Sequence, residues 1–92
     1  MLSAKNVTGT YALSDSIKNY KLIEIIFLCG STQFVSTRYF RPGTLSVYPN
    51  IILSEMVSAD LYYSSRMYVG ENSCNLSDIV GSGVYVAING IK

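Results

Sequence analysis

The sequence predicts an all-β fold, a small antiparallel sandwich or barrel of about six to eight strands. Three observations predict it. Turn-forming residues return at intervals of about 8–12 positions, with no amphipathic helical pattern between them. The segments they bound alternate with a period of two and are rich in Val, Ile, Thr, Tyr and Phe. The run Leu22-Ile23-Glu24-Ile25-Ile26-Phe27-Leu28-Cys29 is apolar at every position except Glu24 and is closed by Gly30-Ser31. It falls short of the roughly 10–12 residues that a buried helix needs.

Taken in order, Val7 to Leu13 is a strand with Val7, Gly9, Tyr11 and Leu13 on one face. Ser14-Asp15-Ser16 is a turn, and Ile17-Lys18-Asn19 leads into a strand from Tyr20 to Cys29. Both faces of that strand are apolar apart from Glu24, as expected of a central strand covered on both sides. Phe34 to Arg41 alternates Phe34, Ser36, Arg38, Phe40 against Val35, Thr37, Tyr39, Arg41. Arg41-Pro42-Gly43-Thr44 reads as a turn, since adjacent Pro and Gly suit type II geometry. Leu45 to Leu53 reads as a strand that Pro49 confines to an edge or a bulge. Ala59 to Val69 is a long strand with Leu61, Tyr63, Ser65, Met67 and Val69 on one face. Gly70 to Ser73 is a loop, and Asn75 to Val80 fits either a short strand or one helical turn. Gly81-Ser82-Gly83 is a turn before a last strand from Val84 to Lys92. No linker or repeat divides residues 1–92, which are expected to form one domain.

Composition sets the surroundings of this domain. The chain is 49% hydrophobic and 14% charged, against about 25% charged in an average soluble domain. A chain this small buries only about 60–65% of its unfolded surface. Apolar surface is therefore expected to be covered by another copy or another protein. The net charge is +1, and the basic residues are scattered rather than striped, so no nucleic-acid partner is expected. Arg38-Tyr39-Phe40-Arg41 interleaves bases and rings, which could stack nucleobases but equally suits an ordinary strand. No apolar run approaches the ~20 residues of a membrane helix, and no charged head precedes an apolar leader.

Catalytic chemistry has little to work with. The absence of histidine removes the Ser-His and Cys-His arrangements, and two cysteines without histidine make no ordinary closed zinc site. No enzyme activity, metal or cofactor is expected. Cys29 reads as a small buried hydrophobe, with a bridge to Cys74 as the alternative. Glu24, on the face of Leu22, Ile26 and Leu28, calls for a charged partner if covered, with Arg38 and Arg66 as candidates; at a rim it would be solvated. The eight tyrosines suit either a Tyr-rich core and rim or a recognition surface. The candidate surface comprises Tyr39, Arg41, Tyr48, Tyr62 and Arg66, where rings can stack on sugar faces and guanidinium groups can bond hydroxyls.

Two stretches carry a family likeness. Gly9-Thr10-Tyr11-Ala12-Leu13-Ser14 followed by Asn19-Tyr20-Lys21-Leu22-Ile23-Glu24-Ile25-Ile26-Phe27, together with the ending Val86-Ala87-Ile88-Asn89-Gly90-Ile91-Lys92, resembles the small C-terminal β domains of phage and prophage tail fibre and minor tail proteins. The likeness runs through nearly the whole chain in order and spacing but is loose from Ser31 to Asp78. It implies a homotrimer at the distal tip of a virion fibre. It also implies binding of a host cell-surface glycan or outer-membrane protein, a role in holding the fibre in register, or both; a purely structural trimerisation module is the alternative.

Overall fold

The computed structural model describes residues 7–30, 34–58, 60–81 and 83–92. Ser31, Ala59 and Ser82, assigned above to turns or a strand start, lie outside the described residues. Among the described residues the chain forms seven strands: β1 (Gly9–Ala12), β2 (Leu22–Cys29), β3 (Phe34–Phe40), β4 (Asn50–Ser58), β5 (Leu61–Val69), β6 (Ser73–Val80) and β7 (Tyr85–Ile91). A 3-10 turn at Ile17–Asn19 and a short helix α1 (Pro42–Val47) complete it. All pairings are antiparallel, in a four-stranded sheet ordered β1-β6-β5-β4 and a three-stranded sheet ordered β3-β2-β7.

The core is the space between the two sheets. Ile23, Ile25, Phe27 and Cys29 of β2 and Val86 and Ile88 of β7 face Leu53 of β4, Tyr63, Met67 and Val69 of β5 and Cys74 and Leu76 of β6 in one buried cluster. Every one of these sits at alternate positions of its strand, as the two-residue period requires. Cys29 and Cys74 are both free thiols, so no bridge joins them. Burial pushes both thiols up from their usual range, with the charge of Glu55 adding to the effect at Cys29.

Three features depart from the sequence reading. First, Leu45 to Leu53 is not one strand, and Arg41 to Thr44 is not a type II turn. Pro42 starts α1, where its fixed φ suits a first helical position and its missing N–H costs nothing. Leu45, 1% exposed, points from α1 into the core beside Ile17, and β4 begins only after Pro49. Second, β2 is covered by the other sheet on one side only. Its Ile23 face is fully buried, whereas Leu22, Glu24, Ile26 and Leu28 are half-buried on the outer face. Third, the ambiguous segment is the strand β6. Its register against β5 shifts between Ser64 and Arg66. Asp78 takes a left-handed φ of 51° at this bulge, and the buried Ser65 hydroxyl donates to the Ser77 carbonyl at 3.4 Å.

The segment Asp15 to Tyr20 and the end of β7 meet in space. Asp15 accepts from the Asn19 side-chain amide at 2.6 Å, the Ser16 N–H at 2.8 Å and the Tyr20 hydroxyl at 2.9 Å. The Tyr20 ring lies against Gly90, where a Cβ would collide with it. The Lys92 ammonium stands 5.7 Å from the centroid of the same ring. These contacts clasp the entry to β2 against the exit of β7.

Candidate functional site

The outer faces of the two sheets differ in chemistry. On the three-stranded sheet, Ile26 stands between Thr37 and Ala87, and Leu28 between Val35 and Tyr85. Val35 is 60% exposed and Tyr39 is 56% exposed. This face is largely apolar, with Thr37 beside Ile26 and one fully polar row. In that row Glu24 lies between Tyr39 and Asn89, accepting from the Tyr39 hydroxyl at 2.9 Å and from the Asn89 side-chain amide at 3.2 Å. The bond to Glu24 pushes the Tyr39 phenol up from its ordinary value.

Neither arginine anticipated for Glu24 is its partner. Arg38 stands opposite Ile25, and alternation along β3 turns it to the other face from Tyr39. Arg66 belongs to the other sheet and pairs with Asp78 at 3.4 Å. A half-buried carboxylate with two neutral donors needs no cation.

The outer face of the four-stranded sheet mixes polar and aromatic side chains with Ile52 and Met56, which are 66% and 75% exposed. One row across it reads Thr10, Asn75, Tyr68, Asn50, and the next reads Ser77, Arg66, Ile52. The Asn75 side-chain amide donates to Thr10 Oγ1 at 2.9 Å. Between these two rows lies a hollow of about 310 Å³, lined by Asn50, Ile52, Arg66, Tyr68, Asn75 and Ser77. Tyr68 also walls a second hollow, of about 190 Å³, at the end of the sheet beside Lys18, Ser46, Pro49 and Glu71. Lys18 and Glu71 pair there at 3.7 Å.

The five residues anticipated as a recognition surface do not converge. Tyr39 lies on the three-stranded sheet. Arg41 and Tyr48 flank α1 at its two ends, both exposed. Tyr62 and Arg66 share the outer face of the four-stranded sheet, but Tyr62 lies beside Met56, far along β5 from Tyr68. Tyr62 and Tyr63 do point to opposite faces, 49% and 6% exposed. The residues that line the hollow with Arg66, namely Asn50, Tyr68, Asn75 and Ser77, were missed as a group. Cross-strand register joins them, and register is not written in any one segment.

Compared with protein-family models, with curated proteins and with solved structures, the chain matches none. Among the described residues, no helix is long and apolar enough to cross a membrane.

Proposed function

We propose that this chain is the tip domain of a phage tail fibre, which assembles as a homotrimer in the virion and binds a receptor on the host cell surface, a glycan or an outer-membrane protein. The observation that carries the reading is the contrast between the two outer faces. An apolar sheet face of Leu22, Ile26, Leu28, Val35 and Ile91 suits contact with further copies. The opposite face sets exposed Tyr62, Arg66 and Tyr68 among amides and hydroxyls, beside exposed Ile52 and Met56, a mixed surface that suits reversible recognition. The likeness to tail proteins points the same way, and its loosest part holds most of the recognition face. The reading assigns no catalytic residue.

The test is adhesion of the full chain, labelled fluorescently, to bacterial cells, alongside its mass in solution by light scattering. Saturable adhesion by a trimer is the expected result. A trimer that adheres to no cells supports the second reading, a trimerisation module without a ligand. That reading draws on the scatter of Tyr39, Arg41, Tyr48 and Tyr62 over separate surfaces.

A further inference from the structure

Tyr68 occupies a singular position. It is 49% exposed, it stands between the cross-strand neighbours Asn50 and Asn75, and it lines both hollows. An aromatic ring flanked on each side by a carboxamide offers an apolar plane with donors and acceptors at its edges. A pyranose ring has the complementary form: a face of C–H groups that packs on an aromatic plane, and equatorial hydroxyls that each donate and accept.

Charge narrows the ligand further. The cations that line the two hollows are Arg66 and Lys18, and each has an anion beside it, Asp78 at 3.4 Å and Glu71 at 3.7 Å. The surface about Tyr68 is therefore close to electroneutral, which disfavours a polyanion that needs unpaired cations. The first hollow, at about 310 Å³, sits at the lower bound of small-ligand sites, about 300 Å³, a size that suits a sugar ring better than a folded partner. Tyr68 also lines the second hollow, which offers a linked second ring a place beside the first.

We infer that Tyr68 is the stacking platform of a neutral-saccharide site, with Asn50, Asn75, Ser77 and Arg66 bonding one ring in the first hollow and Lys18, Ser46 and Glu71 meeting the next ring in the second. The inference rests on the receptor-binding reading and deepens it by naming the ligand class.

The test is a titration of the nitrogen-15-labelled chain with neutral oligosaccharides cut from bacterial surface polysaccharides, at up to millimolar concentration. The expected result is movement of the backbone amides of Asn50, Arg66, Tyr68, Asn75 and Ser77. Tyr68→Ala should weaken binding at least about tenfold, while Tyr68→Trp, which keeps a stacking plane, should retain it. Absence of binding by every oligosaccharide, binding that moves other amides, or full affinity in Tyr68→Ala overturns the inference. A parallel assay on periodate-oxidised cells separates the two readings. Undiminished adhesion to them, insensitive to Tyr68→Ala, means a protein receptor and sinks the saccharide site alone. Failure to adhere to any cells sinks the receptor-binding reading itself.

Discussion

Single residues in the clasp decide how the entry to β2 is held against the exit of β7. Asp15 is kept below its ordinary value of 3.8, first by the Tyr20 hydroxyl, then by the Asn19 amide and the Ser16 N–H. A carboxylate whose value is lowered on folding contributes stability above its unfolded value and loses it as pH falls through the folded one. The stability advantage of the wild-type chain over Asp15→Asn should therefore be full at neutral pH and shrink below about pH 4, as urea denaturation across the acid range would measure. An advantage that stays constant down to pH 2 or so would mean that Asp15 is not held ionised by folding. Gly90 has a different constraint, since any side chain there meets the Tyr20 ring. Gly90→Val should cost about 1–3 kcal/mol, the usual range for overpacking, and thermal unfolding would show it. Tyr20 and Gly90 were both legible as parts of a likeness, but not as touching, because some 70 residues separate them in sequence.

Elements were read well where alternation was strong and poorly where local chemistry was ambiguous. β2, β5 and β7 appear close to where period-two patterning put them, with Tyr63, Ser65, Met67 and Val69 on the buried face of β5 as expected. The segment from Pro42 to Val47 was misread because Pro-Gly serves a turn and a helix start alike. What settles it is tertiary: Leu45 finds the pocket beside Ile17, and a six-residue helix has little stability of its own. If that anchor holds the segment, Leu45→Ala should lower the unfolding free energy by about 2–4 kcal/mol without altering the sheets' circular dichroism. A loss under about 1 kcal/mol would show that α1 is not anchored through this side chain.

At the scale of the whole molecule, the excess apolar content is spread over several surfaces, with Ile52 and Met56 66% and 75% exposed on the four-stranded sheet and Val47 67% exposed on α1. The outer face of the three-stranded sheet keeps Leu22, Ile26 and Leu28 only half-buried. The composition announced surplus apolar surface, and Glu24 alone broke the run that holds part of it. The sequence could not say which face would be left open, because that depends on which strands become neighbours. Under the trimer reading, a charge at the centre of this face should separate the copies without unfolding them. Ile26→Lys is the variant of choice, since its neighbours Thr37 and Ala87 are small enough to let the new side chain reach water. The expected outcome is a monomer mass by sedimentation with an unchanged β spectrum. A variant that still sediments with the wild type would move the contact to another surface.

The two thiols give the sandwich a pair of clocks. Cys29 is carried by the three-stranded sheet and Cys74 by the four-stranded one, each facing the other sheet from the interior. A thiol so enclosed reacts with a disulfide reagent only while its surroundings are open. The reaction rate of each cysteine, read with the other replaced by Ala, therefore reports how often its own half of the molecule parts from the core. If the sheets separate in one concerted event, the two rates coincide at every denaturant concentration. If one sheet peels first, its thiol runs fast while the other stays silent, and the order in which a small two-layer protein comes apart could be timed with no label beyond what the chain already carries.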